Sequence, residues 1–360
     1  MDFGLSSDQV LLHDTLVRLL EDVAPLERVR AYAENDDDGG AEIWQALSEI
    51  GVPGLLVDER HGGAGLGVLD AALVAQALGA HVTPAPFVAS AVLAPLALRL
   101  AGSAEQQAAW LPRLVSGATT VGMALAEHTG AREDARVTAR DGRLVGRALF
   151  VQDIDADAFV VAARDRTLHL VPADAAGLTR ASLVTIDRTR RWGELVFENT
   201  PAEPLAQGDA ASTLAALVDH GRVMTAADTL GAAQHMLEAA VAYAGQREQF
   251  GRVIASFQAV KHLCAEMAAA LEPCHALVWY AAHALDAVPG EAHLYACHAK
   301  AHLAEVGTQV AKSATEVHGG MGFTDLLGLH YWFKRIGLNR QTFGSPERAR
   351  EDAARAQGFA

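Results

Sequence analysis

The spacing of apolar residues along the chain changes twice. In the first part apolar residues recur every three or four positions, as at Leu16, Leu19, Leu20 and Val23, which predicts amphipathic helices. Ser6 and Gln9 have the spacing of a capping box, so the first helix is expected to begin after Ser6. The same reasoning predicts further helices at about 42–50, 68–78, 86–101 and 104–115.

The middle part has short apolar runs of β-type composition, separated by turn signals such as Asp141-Gly142. Strands are predicted at 119–126, 136–139, 144–151, 158–163, 168–171 and 195–197. The helical spacing then returns and predicts helices at 211–247, 257–283, 292–316 and 331–336. The chain is therefore expected to be mainly α with a central β domain, divided into residues 1–117, 118–205 and 206–360.

Composition and charge limit the kinds of partner that the chain can bind and the cellular compartment in which it is expected. Apolar residues make up 51% of the chain, and 29 basic against 44 acidic residues give a formal net charge of -15. This excludes a disordered chain and disfavours nucleic acid and anionic membranes as partners. The three cysteines fit neither a disulfide framework nor a zinc ribbon. Without a signal peptide or a membrane-spanning stretch, a cytoplasmic location is expected.

Two segments have residue types suited to a ligand. Arg247 and Gly251 lie where one long helix should end and the next begin, and a fixed cation beside exposed backbone donors suits a diphosphate. Glu316 to Thr324 contains three glycines in four positions, which would let backbone approach a ligand. An Arg interacting with a helix C-terminus and a simple helix-ending turn are the alternatives, and the residues alone favour them.

A glycine-rich stretch and a histidine pair are weaker indications of a binding site. The glycines of residues 62–67 do not follow the order of a dinucleotide-binding loop. His298 and His302 lie four apart on a predicted helix with Glu305 three further on, a spacing that can bind a metal. Among 15 histidines such a pair is expected by chance, so the sequence predicts no metal site.

Taken together, the motifs resemble those of the FAD-dependent acyl-CoA dehydrogenases. The resemblance rests on Arg247-Glu-Gln-Phe250-Gly251 with Phe257-Gln258, on His318-Gly319-Gly320-Met-Gly322, on Asp187-Arg188-Thr189-Arg190 and on the opening Phe3-Gly4-Leu5-Ser6. It implies an N-terminal helical domain, a middle β-barrel and a C-terminal four-helix bundle. It also implies a homo- or heterotetramer that binds FAD, oxidises an acyl-CoA thioester and passes electrons to an electron-transfer flavoprotein.

The resemblance also implies which residues contact FAD. One group would meet the adenosine-diphosphate part of an FAD held in a neighbouring subunit, namely Arg247, Gln249, Phe250, Ile254, Phe257 and Gln258. Glu316 and Gly320 would approach the cofactor from the other chain. Many members of the family have Gln at the position of Glu316, and a negative charge there weakens diphosphate binding unless it is protonated or turned away.

The catalytic positions depart from the family pattern. The base of the reaction, a carboxylate that removes the α-proton, falls at one of two positions, which here are Gly221 and Phe343. Neither residue can take a proton. Asp219 is the best displaced candidate, with His220 and Glu347 behind it. A shift of two residues rotates a helical side chain by roughly 200° and argues against Asp219.

The stretches that contact the flavin ring in the family also differ here. Residues 126–134 replace the usual Thr-Glu-Pro-Gly-Ala-Gly-Ser-Asp, and Leu149-Phe150-Val151 replaces Trp-Ile-Thr. The chain is therefore expected to catalyse the FAD-dependent α,β-dehydrogenation of an acyl-CoA thioester, in fatty acid or steroid side-chain catabolism, and a displaced base is one explanation of the changed positions. A non-catalytic subunit of a heteromeric enzyme, contributing half of the FAD site, is the main alternative. A relative with other flavin chemistry and a ligand-free structural protein are further ones.

Overall fold

The chain folds as a helical unit, a β unit and a second helical unit, in that order. The structure is a computed structural model and describes residues 4–35, 39–130 and 136–359. This arrangement confirms the fold class expected from the sequence. The boundaries after residues 117 and 205 stay predictions; they fall in the connections between a helix and a strand on either side of the β unit.

The first helical unit begins at the expected capping box. The Ser6 hydroxyl accepts from the Gln9 amide, and the Gln9 side chain accepts from the Ser6 amide. A π-helical turn at Phe87–Leu93 precedes the fifth helix. The helices are α1 Ser7–Val23, α2 Leu26–Asn35, α3 Gly39–Glu49, α4 Val68–Ala80, α5 Ala94–Ala101 and α6 Ala104–Val115.

The glycines of residues 62–67 lead into α4, and carboxylates occupy the amides at its start. The Gly67 amide donates to Asp70 at 2.9 Å, and the Val68 amide donates to Asp286 at 2.6 Å. These donors therefore serve helix capping.

The β unit is one eight-stranded sheet in which β6 and β8 lie at the edges. Its order is β6-β7-β3-β1-β4-β5-β8, with β2 paired to β3; β1 and β4 run parallel and the other pairs antiparallel. Two strands were missing from the sequence prediction, β6 and β8. The strands are β1 Val121–Ala124, β2 Val137–Arg140, β3 Arg143–Gln152, β4 Ala158–Ala162, β5 Leu168–Pro172, β6 Leu178–Leu183, β7 Trp192–Pro201 and β8 Glu203–Leu205.

The second helical unit contains the three longest helices of the described chain. They are α7 Ala210–Gln246, α8 Gln258–Ala287 and α9 Pro289–His318, followed by α10 His330–Asn339 and α11 Pro346–Ala356. A small hairpin of β9 Glu248–Gln249 and β10 Arg252–Val253 joins α7 to α8. None of the described helices has the length and apolar character needed to cross a membrane.

Two glycines let the helical units touch backbone to backbone. A Cβ at Gly79 of α4 would lie 2.0 Å from the Asp228 carbonyl oxygen, and one at Gly231 of α7 would lie 1.9 Å from that of Gln76. No side chain fits at these distances. The contact fixes α4 against α7 beside the segment that carries Gly221.

Candidate active site and cofactor contacts

The two positions at which the resemblance places a catalytic base meet in the fold. Gly221 lies in α7 and Phe343 lies in the turn between α10 and α11. A Cβ at Gly221 would be 2.5 Å from both Cε1 and Cζ of the Phe343 ring. Phe343 is buried and has a positive φ of 58°. The ring therefore fills the space that a side chain at position 221 would need, and neither position offers a proton acceptor.

Phe343 forms one wall of a small, partly open space, which we call the inner cavity. Its volume is about 30 Å³, enough for roughly two water molecules. A larger cavity of about 690 Å³ adjoins this space and shares Asp153, Arg190 and Trp192 with it. The walls of the inner cavity come from all three units and include Thr83, Phe87, Asp153, Trp192, Asp228 and Phe343.

Several polar groups at the inner cavity are unsatisfied. The Thr83 hydroxyl and the Trp192 indole nitrogen are buried without a hydrogen-bond partner in the described part of the chain. Burial, partly offset by Arg190, raises the pKa of Asp153 to about 7. Sequence reasoning missed Asp153, although it lies two residues after the Leu149–Val151 stretch. These groups suit water or a small polar ligand rather than an alkyl chain.

The displaced base candidates have other partners. Asp219 accepts from Nδ1 of His293 at 2.9 Å, and the His220 ring bonds the Ala216 carbonyl of its own helix. Glu347 is exposed at the start of α11 and accepts from Arg340 at 3.2 Å. None of the three is among the described residues that line the inner cavity.

Arg222 connects α7 to the turn that carries Phe343. It is 2% exposed, and its Nε donates to the Phe343 carbonyl at 3.2 Å. Its other nitrogens donate to Asp352 at 2.5 Å and to the Cys297 sulfur at 3.0 Å. The guanidinium therefore holds the backbone of Phe343 in place. No sequence pattern indicates a role for Arg222, because its partners lie on three other segments.

A buried ion network lies beside the inner cavity. Arg335 donates to Asp187 at 2.8 Å and to Asp228 at 3.1 Å, while Arg190 donates to Asp228 at 2.6 Å. Burial alone would raise the pKa of Asp228, but the two guanidinium groups outweigh it and hold that pKa below its usual value. The Asp187–Arg190 motif thus joins the β unit to α7 and α10.

The residues expected to contact the adenosine-diphosphate part of FAD lie in and after the β9–β10 hairpin. Arg247 and Gln249 are exposed, and Phe250 is 92% exposed with a positive φ of 55°. The Ile254 amide donates to the Arg247 carbonyl at 2.7 Å and closes the hairpin. Phe257 packs edge-on to Phe250 and precedes Gln258, the first residue of α8.

The glycine turn lies at the same end of the helical unit as this hairpin. Tyr243, near the end of α7, stacks on His318 at the end of α9, with ring centroids 4.6 Å apart. A Cβ at Gly320 would meet no atom within 4 Å, and Glu316 is exposed. The structure therefore brings the two predicted elements to one open surface. A cation and free backbone suit a diphosphate, while Glu316 adds a negative charge.

The Leu149–Val151 stretch, which is expected at the flavin ring, is hydrogen-bonded to a buried carboxyl group. Glu127 accepts from the Leu149 amide at 2.8 Å, its second oxygen has no partner in the described chain, and burial raises its pKa. Phe150 has a positive φ of 50°, while Val151 is buried and pairs opposite Gly193 in the sheet. Residues 131–134 of the neighbouring stretch lie outside the described residues.

Comparison with known proteins gives matches over nearly the whole chain. The family models for the N-terminal and C-terminal domains of acyl-CoA dehydrogenases match residues 6–118 and 211–358. The acyl-CoA dehydrogenase IpdE2 of Mycobacterium tuberculosis is 31% identical over 340 residues, 94% of each chain.

Two solved structures with similar folds contain two different chains. The ChsE4-ChsE5 complex from Mycobacterium tuberculosis matches with a TM-score of 0.91, 27% identity and full coverage of both chains. A variant of the Tcur3481-Tcur3483 steroid ACAD matches with a TM-score of 0.88, 28% identity and 98% coverage of each chain.

Proposed function

This chain belongs to the acyl-CoA dehydrogenase family, and we propose that it serves the FAD-dependent α,β-dehydrogenation of an acyl-CoA thioester as the base-free subunit of a heteromeric enzyme. The observation that carries the proposal is the contact between Gly221 and Phe343. Both positions of the base are occupied by groups that cannot accept a proton, and one fills the space of the other.

The proposed reaction needs a proton acceptor and a hydride acceptor on one acyl group. FAD, when bound, accepts the hydride from the β-carbon, and a carboxylate removes the α-proton. This chain has no carboxylate at either base position, so the partner subunit supplies it. The contribution of this chain is to bind and orient the cofactor.

The open end of the second helical unit supports that role. Arg247 is exposed there, with the glycine turn around Gly320 at the same end. We assign to this surface the diphosphate of an FAD whose flavin ring lies in the partner. Gln249, Phe250, Ile254, Phe257 and Gln258 complete the contact. The assignment requires that Glu316 turn its charge away from the phosphates.

The assignment of the flavin ring to the partner rests on the missing base rather than on space, since the inner cavity adjoins a cavity of about 690 Å³ that is lined by Asp153, Arg190 and Trp192 among others. We further propose the CoA thioester of a steroid side chain as substrate, in keeping with the name of the similar Tcur3481-Tcur3483 steroid ACAD. An electron-transfer flavoprotein is proposed as the electron acceptor from the resemblance to the family.

The test begins with the chain expressed alone. We expect it to purify with little flavin and to give no oxidation of short-chain, medium-chain or steroid side-chain acyl-CoA with an artificial electron acceptor. Expressed together with a family member that carries the base, it should form an assembly with one FAD for each pair of chains. Full flavin occupancy and rapid turnover by the single chain would refute the proposal.

A pair of variants separates cofactor binding from assembly. Arg247→Ala in the heteromer should lower FAD occupancy, because it removes the cation from the diphosphate. Arg164→Ala removes a similarly exposed cation from the β4–β5 turn and should leave occupancy unchanged. Equal flavin loss in both variants would show that Arg247 has no specific role.

A further inference from the structure

Asp219, His293 and Cys297 form a compact group of three different ligand types between α7 and α9. Asp219 accepts from Nδ1 of His293 at 2.9 Å, and Nε2 of the same ring lies 3.8 Å from the Cys297 sulfur. We propose that these three side chains bind a divalent cation of the zinc class. The sequence predicted no metal site, because Asp219 is distant in the chain from the other two.

The backbone already places the ligands for one ion. His293 and Cys297 are four residues apart and share one face of α9, while Asp219 faces them from α7. One atom from each residue can be chosen so that all three lie within 4.8 Å of one another. In a tetrahedral site with bonds of about 2.0–2.3 Å, ligand atoms are roughly 3.3–3.8 Å apart. Binding requires a rotation of the side chains, because Asp219 and Cys297 contact opposite nitrogens of the His293 ring in the metal-free chain.

The group of Asp219, His293 and Cys297 is open to solvent on the side of His293. Asp219 is 6% exposed and Cys297 is fully buried, whereas the His293 side chain is 47% exposed. Three protein ligands with solvent on the fourth side are the arrangement of an open zinc site. The mixed sulfur, nitrogen and oxygen set selects zinc or cobalt over magnesium and calcium, which prefer oxygen alone.

Arg222 is the neighbouring cation that a metal ion must compete with. Its Nη1 lies 3.0 Å from the Cys297 sulfur and 3.7 Å from Asp219. The same guanidinium keeps two stronger contacts, with Asp352 and the Phe343 carbonyl. It can therefore give up the sulfur when the thiolate binds an ion. Two anionic ligands then offset the charge of the divalent cation.

The histidine pair noticed in the sequence is a separate feature. His298 and His302 are exposed on α9, and Glu305 accepts from Arg340 at 3.1 Å. The group that converges in the described structure uses the neighbouring His293 and Cys297 instead. His298 therefore serves as a matched control on the same helix.

The test is a cobalt titration of the metal-free chain, which needs neither FAD nor acyl-CoA nor a partner. Tetrahedral cobalt with a thiolate ligand gives intense visible bands and a near-ultraviolet charge-transfer band. We expect both to saturate at one equivalent of Co²⁺ and to disappear on addition of Zn²⁺. Absence of a charge-transfer band in the wild-type chain would overturn the proposal, whatever the result for the dehydrogenase function.

Variants identify the ligands. Cys297→Ser should remove the charge-transfer band, and His293→Ala and Asp219→Asn should each weaken binding by more than about tenfold, since even loss of a group that supports a ligand has that effect. Cys264→Ser and His298→Ala should bind as the wild type does. A band that survives Cys297→Ser but is lost in Cys264→Ser would place the metal elsewhere and refute the assignment.

Discussion

Replacing Gly221 with alanine tests whether the two base positions share one space. The new methyl group would lie 2.5 Å from two carbons of the Phe343 ring, whereas non-bonded carbons are most stable at about 3.5–4.0 Å. The ring has little freedom to withdraw. It is 6% exposed, and Arg222 holds the backbone carbonyl of the same residue.

The expected magnitude combines two opposing effects. Overpacking of a core costs about 1–3 kcal/mol, while replacing a helix glycine with alanine gains roughly 0.5–1 kcal/mol. The single substitution therefore gives a reduced net loss. A double-mutant cycle with Phe343→Leu separates the overpacking cost from the helix-propensity gain. The gain is the same whether Phe or Leu stands at position 343, so it cancels in the coupling energy. We expect the double variant to be about 1–3 kcal/mol more stable than the sum of the single effects predicts.

The assay is urea unfolding of the four proteins followed by circular dichroism. Free energies of unfolding for the wild type, Gly221→Ala, Phe343→Leu and the double variant give the coupling energy directly. Additivity within about 0.5 kcal/mol is the behaviour of independent sites. That result would mean that the ring moves aside at little cost and that a side chain at position 221 is compatible with Phe343.

Three further changes test other parts of the structure by the same unfolding measurement. Gly231→Ala forces a Cβ to 1.9 Å from the Gln76 carbonyl oxygen and should lower the free energy of unfolding by about 3 kcal/mol or more. The control Gly245→Ala, in the same helix, meets no neighbour and should raise it by roughly 0.5–1 kcal/mol. Equal effects of the two substitutions would contradict the close packing. Arg335→Met leaves Asp187 without its buried cation and should cost about 3–5 kcal/mol, and a change below 1 kcal/mol would contradict this. Burial lowers the pKa of His235 from 6.5 to about 4. Between these pH values the unfolded chain binds a proton at this residue and the folded chain does not. The free energy of unfolding should therefore fall by up to about 3 kcal/mol as the pH drops from 6.5 to 4. His235→Phe, which keeps the stacking on Trp332, should reduce this acid loss, and an unchanged pH slope would contradict the assignment.

Local patterns predicted the long helices well, because their causes are local. The helix predicted over 211–247 is observed as Ala210–Gln246, and its start is capped by the Asp209 side chain. The strand β6 was missed because its four central residues are exposed and show no alternation of apolar positions. The helix α11 was missed although Ser345 and Pro346 form a good start signal, since its residues are mostly polar.

The candidate site was only partly predictable for a different reason. Motif positions identified Gly221 and Phe343 one at a time, but their contact joins two segments that the sequence does not bring together. The same holds for Arg335 with Asp187 and for Cys297 with Arg222. Such groups arise from the packing of distant helices, and a periodicity or a spacing rule contains no information on that packing.

Phe250 is almost fully exposed and Phe343 is buried. This difference distinguishes a side chain that stabilises the fold of the single chain from one that is available to contact a partner subunit. Phe343 is buried against Gly221, so its packing stabilises the single chain. Phe250 is 92% exposed, and Phe323 and Leu326, just beyond the glycine turn, are 82% and 74% exposed. A side chain that is this exposed adds little to the stability of the chain that carries it, whereas an exposed apolar cluster is typical of an interaction surface.

The two positions should therefore respond oppositely to substitution. Phe250→Ala is expected to leave the free energy of unfolding of the single chain within about 0.5 kcal/mol of the wild type while weakening FAD retention and assembly in the heteromer. Phe343→Leu should lower the unfolding free energy and leave FAD retention by the partner intact. Comparing unfolding of the single chain with flavin content of the assembly measures both. If Phe250→Ala destabilised the isolated chain as much as Phe343→Leu does, the exposed end would be part of the fold rather than a surface for a partner and its cofactor.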